Sequence, residues 1–396
     1  MRPLPLAGYR ILSAEQYGAG PYGTMFLAQL GAEVIKIEPP RGGDTARAVG
    51  PHFLRKGESL YFQSFNLNKK SLTLDLKQPE GERIFRELAA GAHAAVNNMR
   101  GDIPEKLGLT YDALKEVNPA IVCAHLSAYG RDNERAAWPG YDYLMQAEAG
   151  FMALTGEPDA PPARFGLSMV DFMTGTMMSI GLLSALIDAE RSGVGRDVDV
   201  DLLSAAVHQT SYPGIWYLNE GDVTQRTPRS AHPSVTPSQL FRAQDGWVFV
   251  MAQLPKFWTI LTSRIGRAEL AEDPRFVSPA DRLNNRHALT EVLDAHFSTA
   301  PVSHWVELLA GHVPVAPVNE LDQAMDSAFL ARTGMVQAAP HPDRSDMRVL
   351  SSPIRLDGER LPVRAAPLLG ADSDDILASL GYDEGSVARL RQDGIV

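Results

Sequence analysis

The stretch from Tyr9 to Glu38 reads as strand, helix, strand. Apolar "YRIL" (9–12) is followed by a helical pattern over 21–30 and then by "AEVIKIE" (32–38). Strands joined by a helix at this spacing run parallel, and a parallel sheet is covered by helices on both faces. That requirement constrains the rest of the chain. Further strands are expected at "SLTLDLK" (71–77), "AHAAVNNM" (92–99) and "AIVCAHLS" (120–127), with a helix at "PEGERIFRELAAG" (79–91), opened by Pro79 and Glu80 and ended by Gly91. The first 200 residues therefore read as a layered α/β domain.

A long apolar run follows, "RFGLSMVDFMTGTMMSIGLLSALI" (164–187), in which Asp171 is the one charged residue between the ends. It reads as a helix ending near Gly193, a C-cap residue. "VDVDLLSAAVHQTSYPGIWYL" (198–218) begins as a strand and continues as a helix. Residues 201–238 thus read as helix and linker, the linker being "TQRTPRSAHPSVTPSQ" (224–239), rich in Pro, Ser and Thr. A smaller α+β domain is expected over 239–325. It has a hairpin around Asp245-Gly246 and helical patterns at 255–265, 281–298 and 302–310. Residues 326–396 return to strands and end in two short helices.

Charge and composition exclude several classes. The net charge of -11 argues against non-specific nucleic-acid binding. The single cysteine, Cys123, forms no intrachain disulfide and reads as a core thiol in a strand. The apolar run is short for a membrane span and interrupted by Thr, Gly and Ser. The N-terminus lacks the apolar segment of a signal peptide. A soluble, cytoplasmic protein is the expectation. The ten histidines show no metal-ligand spacing, and neither a G-x-S-x-G elbow nor a Walker A loop is present.

Three features carry candidate chemistry. "GAGPYG" (18–23) matches G-x-G-x-x-G, with Glu38 twenty residues after Gly18. The dinucleotide reading fails on placement, because five residues separate the end of the strand from the first glycine and Glu38 runs into Pro39-Pro40. Basic residues at strand ends and in loops (Arg41, Arg47, Lys69, Lys70, Lys77, Arg100, Lys106) suit a ligand bearing phosphates. Asp171 reads either as a helix N-cap or as a nucleophile held ionised by helix amides, and one residue can do both. Gly175, Thr176 and Ser179 after it leave room for a close neighbour.

Over nearly its whole length the chain resembles the class III CoA-transferases, the CaiB/BaiF-type family of formyl-CoA transferase and the carnitine CoA-transferases. The resemblance rests on "LGAEVIKIEPPRGGDTAR", "SLYFQSFNLNKKSLTLDLKQPEG", "NNMRGDIPEKLGLTYDALKEVNPAIVCAHLSAYG", "PGYDYLMQAEAGFMALTGEPDAPP", "SMVDFMTG", "GRDVDVDLLSAA" and "APLLGADSDDILASLG". It implies a Rossmann-like large domain completed by the C-terminal segment 326–396, a smaller domain, and two chains interlocked as a homodimer. It implies CoA transfer from an acyl-CoA to a free carboxylic acid, through aspartyl anhydride and aspartyl-CoA thioester intermediates on Asp171. Acyl-CoA is then a substrate, with no permanent cofactor and no metal. Coenzyme A contacts are expected from Tyr17, Gly18, Ala19, Arg41, Leu74, Lys77, Asn98, Met99, Arg100, Lys106, Tyr141 and Asp142.

Three positions depart from the family pattern. Pro39 stands where an arginine often follows "VIKIE", so Arg41 is the candidate replacement. Lys106 stands for an arginine, keeping charge without the bidentate fork. The glycine-rich loop of the formyl-CoA branch has no counterpart between Thr224 and Trp258, which argues against a formyl-CoA:oxalate enzyme. The α-methylacyl-CoA racemases share the fold and an aspartate at position 171. They carry histidine where Tyr141 stands, so tyrosine favours transfer over racemisation, and His125 in "CAHLS" reads as a core histidine. A CoA-binding scaffold without catalysis and an NAD-dependent dehydrogenase are the remaining alternatives. The acids themselves are not spelled out. Pocket residues are expected from 41–52, 141–146 and 230–256, with Arg47, Arg229 and His232 as partners for a dicarboxylate.

Overall fold

A computed structural model describes residues 2–396, which fall into two compact units: 2–149, 165–211 and 329–396 in the first, 150–164 and 212–328 in the second. Residues 150–164, read from sequence as part of the large domain, belong to the second unit.

The first unit is built on six strands: β1 (Arg10–Ala14), β2 (Glu33–Glu38), β3 (Lys70–Thr73), β4 (Ala94–Asn97), β5 (Val122–Ser127) and β6 (Arg196–Asp201). They pair in parallel in the order β3-β2-β1-β4-β5-β6, so the winding reverses between β1 and β4. Crevices outside the carboxyl ends of strands at such a reversal are where open α/β sheets hold ligands. Strand β5 is buried throughout, which explains its unbroken "VCAHLS". The edge strand β6 alternates Asp and Val and is half-exposed. The third strand is shorter than the 71–77 pattern suggests. After Thr73 the chain leaves the sheet, and Asp75 N–H pairs with Ile395 O of the C-terminal segment.

Helix α1 (Ala19–Gln29) starts two residues earlier than its apolar periodicity implies. Helix α2 (Pro79–Ala90) buries Ile84, Phe85 and Leu88, with Glu80 and Glu82 in its first turn. Its apolar face meets Leu12, Ile35, Leu72 and Cys123 of the sheet and Ile376, Leu377 and Leu390 of the terminal helices Ser373–Ser379 and Glu384–Gln392. The two ends of the chain therefore share one core.

Helix α3 (Asp142–Glu148) precedes the long helix α4 (Met169–Ser192), which ends at Gly193 in the left-handed conformation. By length and composition α4 could cross a membrane, but half of its most apolar window is buried. Its buried side lies on α1. A β-carbon at Gly23 would meet Gly175 O at 2.4 Å, and one at Gly175 would meet Ala19 O at 2.3 Å. Backbone against backbone at that distance requires glycine on both helices. Helix α5 (Leu202–Gln209) follows β6 directly, capped by Asp201, whose side chain accepts from Ser204 N–H.

The second unit holds an antiparallel sheet, β7 (Ser238–Arg242), β8 (Trp247–Met251) and β9 (Val315–Pro317), with β8 central and a tight turn at Asp245-Gly246. The 281–298 pattern is two helices, α7 (Pro279–Asn284) and α8 (Arg286–Phe297), following α6 (Pro255–Arg264) and preceding α9 (Val302–Leu309). Phe241, Val250, Trp258, Leu293, Phe297 and Trp305 fill its core.

Candidate active site

The carboxyl ends of β1 and β4 open into a cleft of about 930 Å³, formed within the first unit. Asp171 sits in its lining, and only 7% of the residue is exposed. The N-cap of α4 is Ser168, so Asp171 lies inside the first turn rather than at the cap. The capping role falls to another residue. Asp142 Oδ2 accepts from Asp171 N–H at 2.9 Å, satisfying a first-turn amide that no helical carbonyl reaches. Gln146 holds Asp142 in turn, donating to Oδ1 at 2.6 Å and to Leu167 O at 3.2 Å, while its Oε1 accepts from Phe165 N–H at 2.9 Å. Local sequence could not show this clamp, because its parts are spread over 30 residues.

Burial, followed by the nearby Asp142 carboxylate, raises the pKa of Asp171 to about 7. The helix dipole works the other way, favouring an anion in the first turn. Desolvation and like charge win here, and the group is poised between acid and base near neutrality.

Opposite the carboxylate stands the backbone of Gly18. A β-carbon there would come within 2.5 Å of Asp171 Oδ2. A β-carbon at Gly20 would crowd Asn98 and Glu15 at 3.0 Å, and Gly23 faces Gly175. Each glycine of the G-x-G-x-x-G pattern is accounted for by packing. Glu38 is also occupied. It takes Arg47 in two bonds of 2.7 and 2.8 Å, Ser71 Oγ at 2.7 Å and Asp44 N–H at 3.0 Å. Glu38, the acid that the dinucleotide pattern would use to hold a ribose, is therefore already committed within the fold.

The expected contact residues divide. Tyr17, Gly18, Ala19, Arg41, Leu74, Lys77, Asn98, Met99, Arg100 and Tyr141 all line the cleft beside Asp171. Asp142 and Lys106 do not. Asp142 lies behind the first turn of α4, and Lys106 is 65% exposed and bound to Asp102 at 2.7 Å. Arg100 shares Asp102 with it at 3.3 Å. Asn98 lines the cleft while its amide pins the loop, accepting from Gln16 N–H at 2.8 Å and donating to Gln16 O at 2.6 Å. Arg47 cannot meet a substrate acid, because it is 1% exposed and bridges Glu38 and Glu58. Arg229 pairs with Asp294 at 2.6 Å, and His232 stacks on Tyr212 at 5.5 Å, both inside the second unit.

Aromatic rings collect at the acid. Tyr17 packs against Tyr61 at 5.3 Å and Tyr141 at 5.9 Å. Burial, with Tyr17 and Asp171 close by, pushes the Tyr61 hydroxyl well above its ordinary value, so it stays a neutral donor. His125 is a core histidine. Its ring nitrogens meet Asn97 at 2.8 Å and Asp197 at 2.9 Å. Cys123 is buried and its thiol is pushed up by desolvation, so it is no nucleophile at neutral pH. Sequence reasoning missed Ile103, Leu107, Trp138, Leu202 and the near-terminal Asp393 and Gly394, which also line the cleft. Nothing local marks them, since loops after different strands bring them together.

A family model, "CoA-transferase family III", matches residues 6–373. The chain belongs to CoA-transferase family III. It is thereby an enzyme, a class III CoA-transferase. A mouse relative, succinyl-CoA:glutarate CoA-transferase, is 33% identical over 99% of this chain and 90% of its own length. Formyl-CoA:oxalate CoA-transferase of Streptomyces coelicolor is 32% identical over 99% of both chains. Among solved structures, a CaiB/BaiF family protein from Brucella suis superposes with a TM-score of 0.84 at 30% identity, covering 96% of this chain and all of its own.

Proposed function

We propose that this protein moves CoA from an acyl-CoA thioester to a free carboxylic acid, with Asp171 as covalent nucleophile. An Asp171 oxygen attacks the thioester carbonyl, the C–S bond breaks, and CoA leaves as the thiolate. The thiolate attacks the aspartyl carbonyl of the resulting anhydride. The donor acid departs as its carboxylate and an aspartyl-CoA thioester remains. The acceptor carboxylate attacks that thioester and expels the thiolate, which then attacks the acceptor's carbonyl in the new anhydride. Acceptor acyl-CoA leaves and the Asp171 carboxylate is restored. Every step exchanges one acyl bond for another, so no proton or electron is gained or lost overall.

The observation that carries this reading is the buried Asp171 carboxylate facing the Gly18 backbone at the inner wall of the cleft. Burial shields a hydrolysable anhydride from water. The first-turn amides of α1, beginning beside Gly18, offer donors to the oxyanion formed on attack. Arg41, Lys77 and Arg100 in the cleft lining supply cations for the CoA phosphates. His125 is fully engaged, and nothing in the cleft favours racemisation.

The Rossmann-like character of the large domain and an interlocked homodimer belong to the same proposal. Exposed Ile180, Ile187 and Val207 on α4 and α5 are apolar surface that a second chain would cover. The reaction is assigned to the cytoplasm. The substrates are proposed as acyl-CoAs and small carboxylic acids, dicarboxylates among them, since the mouse relative is named for succinyl-CoA and glutarate. The decisive experiment incubates the protein with a panel of acyl-CoAs, adds hydroxylamine, and maps modified peptides by mass spectrometry. A hydroxamate on Asp171 is expected, and the acyl-CoA giving most of it is the donor. An unmodified Asp171 across the panel, with CoA binding intact, overturns the mechanism.

A further inference from the structure

Tyr17 has φ +69°, in the left-handed region that a bulky residue avoids. Such strain persists only where the surroundings over-determine it, and it clusters at functional sites. The three residues leading to Gly18 are each held by a different side chain. Lys36 Nζ donates to Glu15 O at 2.8 Å. Asn98 binds both backbone groups of Gln16. Asp44 Oδ1 accepts from Tyr17 N–H at 3.0 Å and from Ala46 N–H at 2.8 Å. Behind this strap Lys36 Nζ and Asp44 Oδ2 pair at 2.9 Å, both side chains fully buried. Glu38 Oε2 takes Asp44 N–H, fixing the base of the pair.

A buried ion pair is a poor way to stabilise a fold, since apolar residues of like volume often do as well or better. Lys36 in the interior strand β2, paired on both sides, thus has no evident reason to be charged for the sheet's sake. We propose that the Lys36–Asp44 pair is a positioning device, holding the strap 15–17 so that the Gly18 backbone faces the Asp171 carboxylate. This rests on the covalent reading of Asp171 and adds two residues to it. Neither touches the acid. Lys36 sets the loop through Glu15 O and through Asp44, and Asp44 sets it through Tyr17 N–H.

Two double variants test the assignment. Lys36→Met/Asp44→Leu removes both pins, while Lys36→Gln/Asp44→Asn keeps an uncharged donor and acceptor. Each is exposed to succinyl-CoA and hydroxylamine, and the rate of hydroxamate formation on Asp171 is followed against pH. The Met/Leu variant is expected to keep its thermal midpoint and to label Asp171 about 100-fold more slowly, the usual effect of an ångström-scale misplacement. Its acid limb should move about one pH unit lower as water reaches the carboxylate. The Gln/Asn variant should recover to within tenfold of the parent. Labelling of Met/Leu within threefold of the parent, with the same pH profile, overturns the proposal.

Should the Met/Leu variant not fold, Gln/Asn decides. Labelling within tenfold of the parent supports positioning by hydrogen bonds, and a 100-fold loss at a native midpoint overturns it. Should the parent carry no label with succinyl-CoA or with any other acyl-CoA of the panel, the covalent reading falls and crystal structures judge the strap alone. Tyr17 leaving the left-handed region in Met/Leu supports it, and an unchanged Tyr17 refutes it.

Discussion

Replacing Asp171 by asparagine should stabilise the protein, and more so as pH rises. The folded pKa is raised from 3.8 to about 7 by burial and by Asp142. The folded chain therefore holds the Asp171 proton more tightly than the unfolded chain does. Stability from this source is complete below about pH 4 and is lost progressively as pH climbs through about 7. Asparagine resembles the protonated acid and does not titrate. At about 1.4 kcal/mol for each tenfold change in proton affinity, the difference between folded and unfolded chains has a ceiling of about 4 kcal/mol. Part of that is already lost at pH 5, so the variant's advantage should grow by roughly 2.5 kcal/mol between pH 5 and pH 8. For a chain of this length that is about 3 °C in thermal midpoint. Scanning calorimetry at pH 5, 6, 7 and 8, at one protein concentration, reads the difference directly. The variant should label no further with acyl-CoA while melting higher. Parallel midpoints for parent and Asp171→Asn across the range would show that the carboxylate is not strained by its setting. Desolvation would then not be what sets the proton affinity of Asp171.

Gly18→Ala places a β-carbon 2.5 Å from Asp171 Oδ2, and acyl transfer should fall about 100-fold while circular dichroism stays unchanged; near-parental turnover would refute the close approach. Asp142→Asn keeps the acceptor for Asp171 N–H and removes the charge that raises Asp171. The acid limb of kcat/KM should shift down by about half a pH unit to one, and a shift upward would contradict the assigned cause. Lys77→Ala and Arg100→Ala should each raise KM for acyl-CoA about tenfold with kcat little changed, the more so at low salt; an unchanged KM would place the phosphates elsewhere. Arg47→Met leaves Glu38 and Glu58 buried without their cation, which should cost about 3–5 kcal/mol in urea unfolding; a neutral result would mean the carboxylates are protonated in the fold.

The parallel sheet was legible because period and length are local properties. A buried strand such as Val122–Ser127 announces itself in six residues. The Asp245-Gly246 hairpin is a two-residue signal, and the structure forms it. What escaped depends on partners distant in sequence. Arg47 reads as a free cation because Glu58 and the folded position of Glu38 are invisible from its neighbours. Asp171 reads as an N-cap because the residue that caps its helix, Asp142, lies 29 positions earlier. Lys36 is the instructive case. An ionisable residue in the middle of "VIKIE" is costly to bury without a partner, and that anomaly was present in the sequence. Its explanation, Asp44 Oδ2 and Glu15 O, required the fold.

The same lesson bears on the glycine pattern. Three glycines at G-x-G-x-x-G spacing mark a place where backbone must come close to something, and spacing alone does not say to what. In this chain the first admits a carboxylate, the second a neighbouring loop and the third a helix. Asp171 can be buried at the start of an apolar helix because Gly18 and the Gly23–Gly175 contact bring α1 against it. On the proposed mechanism that closeness serves the chemistry. A carboxylate surrounded by water would be fully ionised but would lose its anhydride to hydrolysis. One sealed among alkyl chains would stay protonated. Backbone on one side and an open cleft on the other holds it between these limits, and no side chain at position 18 would leave room for that.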